Sequence, residues 1–571
     1  MTLALPIGID DFRKLRELGV DYVDKSHLIR ELVDSAGVEV TLLPRPRRFG
    51  KSLNLSMLRW FFEKRDEDLW PLFEDLHIAR AGDDYRAHFG RYPVVFLSFK
   101  AIKATRFEDC QSALTERIIS LYDEHRHVLE SVALSDVDRR RYRQILDGTA
   151  SNALYTESLF HLTAILHRVH GEKIVLLIDE YDEPIHAGHL HGYAPRILDF
   201  FRAFLTEGLK GNPHLWKAVL TGVLRVARES IFSGLNNLGV YSLLRSEFRT
   251  CFGFTESEVG SLLERAGCAD LTEAVRGYYN GYDFGGEAIY NPWSIVNFLA
   301  SEDRLLRPYW VSTSANELVR DLLQHHASAV EQDIEVLLDG GSIERRLDED
   351  VPLGELRERE DALWGLLVFS GYLRAEPGSG VAGEEPAYRL SIPNREVRQV
   401  YTDTFRRWLE DRLSPRGGSL RRLAAALLGG DAEGLQEQLQ IFATNLLSYH
   451  DARSLDPERF YHGLMLGLLA SLEPDYEVRS NRESGDGRPD LYVKPRKAGK
   501  PGVVLELKVA DPGHKTLSAA LREGLAQIHK SDYPAELRAA GAVPVFALAV
   551  AFDGKRVRVA SSTAPEPRSR D

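Results

Sequence analysis

Residues 45–53 read RPRRFGKSL, and residues 174–184 read IVLLIDEYDEP. The first stretch follows an apolar run at 38–43 and leads into a helical pattern at 53–64. A loop of the form G-x-x-x-x-G-K-[ST] between a strand and a helix turns backbone N–H groups and the helix dipole toward phosphate oxygens. Gly50, Lys51 and Ser52 satisfy the second half of that form, whereas Arg45 stands at the first glycine position. Gly50 would let the backbone approach the phosphates, Lys51 would reach the β and γ oxygens, and Ser52 would ligate Mg²⁺. On its own the triplet also describes a Ser52-capped helix beside a basic turn.

The second stretch narrows the choice. An apolar strand ends in consecutive acids, Asp179 and Glu180. In a phosphate-loop ATPase the strand-end acid holds Mg²⁺ through water, and the next one polarises the attacking water. The competing reading makes both acids helix caps after a strand. A later strand at 218–222 ends in Thr221 and Gly222 and suits a polar group near a γ-phosphate. Arg225 and Arg228, just beyond it, either stabilise transferred charge or are surface arginines.

Outward from these stretches, short β-rich runs at 38–43, 93–99, 174–179, 218–222 and 240–244 alternate with helical patterns at 53–64, 110–124, 158–167 and 194–210. That alternation predicts a parallel α/β sheet, and the largely apolar strands are those of a sheet covered on both faces. From residue 255 the texture changes to a helix at 255–265, then the aromatic, glycine-rich GYYNGYDFGGEAIYNPWS, then more helix to 338. The stretch 339–450 holds a helix–strand–loop–strand order of winged-helix type around PGSGVAGEEP, then a helix at 420–428. The last 120 residues or so form a further α/β unit of one-domain size. Its helices are expected at 457–472 and 517–529, its strands near 476–480, 490–493, 503–508, 543–552 and 556–560. The expected division is 1–250, 251–338, 339–450 and 451–562, with a disordered tail at 563–571.

Composition removes several classes. The 571 residues are 44% hydrophobic and 27% charged, with a formal net charge of −13. Bulk electrostatics therefore do not draw the chain to nucleic acid, and any such contact must use local basic surface or bound metal. Cys110, Cys251 and Cys268 are too few and too far apart for a disulfide framework or a zinc motif. The opening MTLALPIGIDDF meets Asp10 and Asp11 too early for a signal peptide. Apolar runs such as 174–178 and 545–552 fall far short of the ~20 residues of a membrane helix. The expectation is a cytoplasmic protein with no membrane partner.

Near the C-terminus SNRESGDGRPDLYV (480–493) precedes VVLELKV (503–509). Asp490 starts one strand, and Glu506 and Lys508, two apart on the next, share a face. Phosphodiester cleavage needs carboxylates that hold a divalent ion and a cation that orients the nucleophile or binds the transition state. Glu506 and Lys508 interrupt an apolar run, so both charges lie near a core where unpaired burial is costly. The plain alternative is a set of salt bridges with neighbouring residues.

YVDKSHLI, RPRRFGKSLNLSML, LLIDEYDEPI, IFSGLNNLGVYSLL, CFGFTESEV and YNGYDF…YNPWS occur in that order. Over nearly the whole chain, from Leu5 to Tyr533, this resembles the AAA-ATPase-like family of bacterial proteins that carry a C-terminal PD-(D/E)XK nuclease-like domain. The family's loop also reads RPRRFGKS, so Arg45 is a family feature. Glu183 departs from it, since a basic residue is expected there. The resemblance implies a P-loop NTPase of the additional-strand class with sheet order 5-1-4-3-2, a helical and winged-helix-like middle, and a restriction-endonuclease-like α/β domain. It implies ATP and Mg²⁺ at Arg48, Gly50, Lys51, Ser52, Asp179, Thr221 and Arg225, with Glu180 catalytic and Tyr22–Lys25 near the base. At the second site it implies Mg²⁺ or Mn²⁺ on Asp490 and Glu506, with Lys508 and Gln527 assisting. An acid on the first helix, where Glu458, Tyr461 and His462 lie, would add a metal contact; His462 itself reads as a packed helix residue. Arg482, Glu483 and Arg488 touch either substrate phosphate or each other.

Tyr278, Tyr279, Tyr282, Tyr290 and Trp293 read as packing between helices before base stacking, and RRRYR (139–143) as a solvated helix face. The expected partner is nucleic acid, DNA ahead of RNA, with homo-oligomerisation open. The reading is an ATPase coupled to a metal-dependent nuclease; the alternative is an ATP-switched module that binds nucleic acid or protein without cutting.

Overall fold

The computed structural model describes residues 4–563 apart from 225–230, 233–234, 312–316, 350–352, 379–385, 414–419, 447–460, 463–464, 467, 470–471, 473–474, 481–488, 511–515 and 531–532. The chain divides into two compact units, Met1–His326 with Ser342–Val397, and Ala327–Gly341 with Arg398–Asp571.

The first unit is built on a five-stranded parallel sheet. Its strands are β1 (Val40–Pro44), β2 (Val94–Ser98), β3 (Ile174–Asp179), β4 (Leu215–Gly222) and β5 (Leu238–Val240), in the order β2-β3-β4-β1-β5. Read from the other edge this is 5-1-4-3-2. Every residue of β1 and β3 is buried, which is why both read as unbroken apolar runs. Pro44 pairs with Gly222 and Ser98 with Asp179, so the C-terminal ends of β1, β2, β3 and β4 meet along one edge. That edge is where parallel α/β sheets place their ligands.

Two boundaries move for identifiable reasons. The helix expected at 158–167 runs over Asn152–His170, because Ser151 caps it through the Leu154 N–H and Gly171 ends it in the left-handed region. The fifth strand lies at 238–240, before the apolar 240–244 expected. Beyond Tyr241 the chain turns, with Arg245 N–H on the Ser242 carbonyl, and the Leu243 carbonyl accepts from Gly285 instead of from the sheet.

After the parallel sheet, β6 (Phe254–Thr255), β7 (Tyr282–Phe284) and β8 (Glu287–Tyr290) form a small antiparallel sheet in the order β6-β8-β7. Thr255 and Glu258 form a reciprocal capping box at the start of the helix Glu256–Arg265. Most of the aromatic passage is core: Tyr279, Tyr282 and Tyr290 are buried, Tyr279 and Tyr290 with Leu262, Val275 and Phe298. Trp293 is half-buried and has another use, below. Further on, β9 (Ile343–Arg346), β10 (Arg374–Pro377) and β11 (Ala387–Ser391) make an antiparallel sheet, β10-β11-β9, with the helix Glu360–Phe369 between β9 and β10. The helix–strand–loop–strand order is present, and a strand from before the helix completes it.

In the second unit β12 (Tyr476–Ser480), β13 (Leu491–Pro495), β14 (Gly502–Val509), β15 (Val545–Asp553) and β16 (Arg556–Thr563) lie in chain order. All neighbours are antiparallel except β14 and β15, whose parallel pairing needs a crossover, and the helix Leu517–Lys530 supplies it. The helix Ala432–Leu446 covers edge strand β16: Gln436 and Gln440 accept the Val559 and Val557 N–H groups at 3.1 and 3.0 Å. Those side chains occupy edge donors that a foreign strand would otherwise pair with.

Candidate functional site

Two constellations lie at strand ends, one in each unit. In the first, β1 ends at Pro44 and the loop turns into the helix Lys51–Phe62, with Gly50 at its N-cap at φ +84°. A left-handed N-cap favours glycine, and it leaves the first turn of the helix without a side chain in front of it. Lys51 is buried, donates to the Arg45 and Pro46 carbonyls at 3.1 and 3.3 Å, and lies 3.5 Å from Glu180. Ser52 Oγ donates to Asp179 Oδ2 at 2.6 Å, and Thr221 Oγ1 donates to Asp179 Oδ1 at 2.7 Å. The strand-end carboxylate is therefore gripped by one hydroxyl from the loop and one from the neighbouring strand.

Glu180 follows at φ +52°, a left-handed backbone that is costly for a side chain with a Cβ and typical of a functional turn. Burial pushes its carboxyl up, Lys51 opposes this, and the charges of Asp182, Asp179 and Glu183 add to the rise. Asp182 was not singled out in the sequence, although DEYD repeats the acid. Its Oδ2 accepts the Val223 and Leu224 N–H groups at 2.7 and 2.9 Å, which fixes the chain just after β4. Burial pushes Asp182 up too, but His186, the Leu224 N–H and the Lys51 charge outweigh it and hold the carboxyl below its ordinary range. A Cβ on Gly222 would sit 2.6 Å from Asp182 Oδ1 and 2.8 Å from Tyr181, so β4 can end there only in glycine.

The Arg45 side chain takes no part in this edge. Its buried guanidinium donates to the carbonyls of Pro44, Tyr241 and Phe248 at 2.8, 2.7 and 3.2 Å and lies over the rings of Phe252 and Phe284. Burial lowers its pKa to about 10. The residue at the missing glycine thus ties the end of β1 to the 241–252 segment.

A cavity of about 370 Å³ opens beside the loop, lined by Gly50, Lys51, Ser52, Glu180, Tyr22 and Trp293 among others. Arg48, exposed, also lines it and lays its guanidinium 4.3 Å above the Trp293 ring. Lys25 lines it as well, paired with Glu258 at 2.7 Å. Glu183, where a basic residue was expected, is itself held by Lys103 at 2.8 Å. The sequence pattern reads Trp293 as packing, and its place on the cavity wall carries no sequence signal. Arg225 and Arg228 lie outside the described residues.

In the second unit, Asp490 immediately precedes β13, and its Oδ2 accepts the Leu507 N–H of β14 at 2.7 Å. Glu506 and Lys508 flank Leu507 on one face, with Lys508 Nζ donating to Glu506 Oε1 at 2.8 Å. Glu506 is 1% exposed, and its Oε2 is buried without a hydrogen-bond partner among the described residues. Burial and the charge of Asp490 push its carboxyl up to about 7, against the pull of Lys508. A buried carboxylate oxygen without a hydrogen-bond partner among the described residues, on a side chain that feels the charge of a second carboxylate, is the donor set a divalent ion would complete. The helix Leu517–Lys530 covers this face; a Cβ on Gly524 would lie 3.5 Å from Glu506 Cγ. Gln527, one turn on, is half-buried on that helix. His462 Nε2 lies 3.2 Å from the Asp490 carbonyl, a backbone contact that suits a packed residue. Glu458, Arg482, Glu483 and Arg488 fall outside the described residues.

The fold and these strand-end sites define a P-loop NTPase fold of the additional-strand class, followed in the chain by a nuclease-like α/β fold. Residues 6–232 match the family model described as predicted AAA-ATPase, and residues 456–562 match that of the PD-(D/E)XK nuclease superfamily. In that order the two matched stretches make the domain architecture of an AAA-ATPase-like segment followed by a PD-(D/E)XK nuclease-superfamily segment. It is also 29% identical over 500 residues to an uncharacterized protein in the vnfD 5′ region of Azotobacter chroococcum mcd 1, covering 86% of each chain. Among the described residues no helix is long and apolar enough to cross a membrane.

Proposed function

We propose that the protein is a cytoplasmic Mg²⁺-dependent ATP hydrolase whose nucleotide state controls metal-dependent cleavage of nucleic acid, DNA before RNA. The observation that carries the first half is the Asp179 carboxylate gripped by Ser52 and Thr221 at 2.6 and 2.7 Å, beside buried Lys51. These are the oxygens and the cation that Mg²⁺–triphosphate requires. On this reading the Gly50–Ser52 backbone and Lys51 hold the phosphates, Arg48 and Trp293 border the nucleotide, and Glu180 accepts a proton from the attacking water. The Glu180 carboxyl, raised by its burial, holds a proton more readily than an exposed one, which suits a group that accepts one from water.

For the second half, Asp490 and Glu506 would hold the divalent ion and Lys508 would steady the attacking water or the developing charge. Gln527 would support the site from the covering helix. Bound there, the ion supplies an activated water and neutralises charge on the scissile phosphate. The 1–250 and 451–562 parts would carry the two reactions, and the chain between them would transmit the nucleotide state.

The test is a matrix of linear, circular and single-stranded substrates with Mg²⁺ or Mn²⁺, with and without ATP, run alongside ATP hydrolysis. Hydrolysis lost in Lys51→Ala and Glu180→Gln, and cleavage lost in Asp490→Ala and Lys508→Ala, are the expected results. ATP hydrolysis that survives both of the first pair removes the ATPase. Tight nucleic-acid binding without cleavage selects the switch module, for which the closed Lys508–Glu506 pair at 2.8 Å would be the resting arrangement.

A further inference from the structure

Away from both constellations, His27, Glu31 and Cys251 bring three different ligand atoms within 4.8 Å of one another. His27 and Glu31 are four apart on the helix His27–Asp34, so both project from one face. Cys251 arrives from a turn more than two hundred residues later. Each side chain is already aimed: Glu31 Oε2 accepts the Phe248 N–H at 2.8 Å, which leaves Oε1 3.5 Å from Cys251 Sγ. His27 Nε2 lies 3.1 Å from Thr250 Oγ1, on the same turn as the thiol. Phe248 itself sits at φ +57°, so the turn that presents Cys251 is held in a left-handed bend.

We propose that His27, Glu31 and Cys251 form a zinc site that staples the first helices to the 248–251 turn. Imidazole, carboxylate and thiolate are a donor set zinc prefers, with a water completing four-coordination. Donors on a tetrahedral zinc stand roughly 3–4 Å apart, so the three need close by only about an ångström. A cleft of about 550 Å³, lined by His27, Glu31, Asp24 and His77, gives the ion and its water a route in. Binding forms the Zn–S, Zn–N and Zn–O bonds and releases the Cys251 thiol proton to solvent. Of the neighbouring cations, Lys25 is engaged by Glu258 and the Thr250 carbonyl, Arg45 by its three carbonyls, Arg30 lies 3.8 Å from Asp34, and Arg80 donates to the Asp75 carbonyl.

The site borders the candidate nucleotide cavity without depending on it. Cys251 lines that cavity, and its carbonyl accepts Asn54 Nδ2 at 2.8 Å from the helix that Lys51 opens.

Metal-free full-length protein titrated with Co²⁺, and separately with Zn²⁺, tests the site. One equivalent of Co²⁺ should give a thiolate-to-cobalt charge-transfer band and the visible bands of tetrahedral cobalt, both displaced by Zn²⁺. Cys251→Ser should abolish the charge-transfer band, and His27→Gln and Glu31→Gln should each weaken binding at least tenfold. Zinc should raise the melting temperature of the wild type and not of these variants. Folded wild-type protein that gives no charge-transfer band at one equivalent overturns the proposal, as does a band that persists in Cys251→Ser. Should Cys251→Ser fail to fold, His27→Gln decides: unchanged cobalt affinity there overturns it. Asp490→Ala and Lys51→Ala should leave the band intact, which separates this site from both others.

Discussion

The two strand-end sites treat the same chemical group in opposite ways. Asp179 is buried with both oxygens engaged by hydroxyls, and its pocket is shaped in advance by Gly50, Gly222 and the Asp182 anchor. Glu506 is equally buried, yet one of its oxygens has no partner among the described residues and its carboxyl is pushed up to about 7. The first arrangement is a finished cradle whose donors can turn toward a ligand. The second stores a cost that protonation or a cation would relieve. Under the proposed function, the contrast would separate a site built for a large anionic ligand from one whose ion must displace a proton.

On that reading, the largest effects come from removing the charged partners. Lys51→Ala should lower ATP hydrolysis by about a hundredfold or more and remove the effect of ATP on cleavage, while divalent-ion binding at the second site is kept. Lys508→Ala should lower cleavage to a similar degree and leave ATP hydrolysis unchanged. Lost divalent-ion binding at the second site in Lys51→Ala, or lost hydrolysis in Lys508→Ala, with the fold intact, would break the separation.

Next is Arg45. Restoring the glycine of a standard phosphate loop, Arg45→Gly, should cost about 3 kcal/mol or more in unfolding experiments, because it strands the Pro44, Tyr241 and Phe248 carbonyls and leaves a void. A variant that instead bound nucleotide more tightly at unchanged stability would show that Arg45 is a displaced phosphate ligand. Gly222→Ala should be milder, about 2 kcal/mol, since its Cβ would push Asp182 off the Val223 and Leu224 N–H groups. Slowed hydrolysis with near-normal nucleotide affinity is the expected readout.

Much of this was legible in the chain. An apolar run followed by the G-K-S loop and another ending in D-E located β1 and β3 because both strands are covered on two faces, and E-L-K on β14 placed two charges on one face by the pleat alone. What was not legible depends on distant partners. Nothing near Arg45 announces that its guanidinium belongs to residues 241 and 248, and nothing near Asp182 announces that it anchors the turn after β4. The fifth strand shifted because Leu243 gives its carbonyl to Gly285, a pairing more than forty residues away. Trp293 looked like its tyrosine neighbours, and only the cavity distinguishes it.

The effect of pH is the most discriminating. Glu506 and Glu396 are both pushed up to about 7 by burial, but the Glu396 carboxylate is satisfied, by Ser294 Oγ at 2.8 Å and the Trp310 N–H at 2.6 Å. Each acid holds a proton in the folded chain that the unfolded chain has already lost between about pH 4.5 and 7. Stability should therefore be highest at the low end of that window and fall as pH rises through 7, by up to about 3 kcal/mol for each buried carboxyl. Glu506→Gln and Glu396→Gln should each flatten part of that slope in denaturant titrations across the window. Mg²⁺ or Mn²⁺ separates them. An ion at Asp490 and Glu506 takes the place of the Glu506 proton, so the cation should recover stability above pH 7 in wild type and in Glu396→Gln but not in Glu506→Gln. Its affinity should fall roughly tenfold per unit below pH 7, because proton and ion compete for one carboxylate. Recovery that survives Glu506→Gln would place the ion elsewhere, and the contrast between the two carboxylates would lose its chemical meaning.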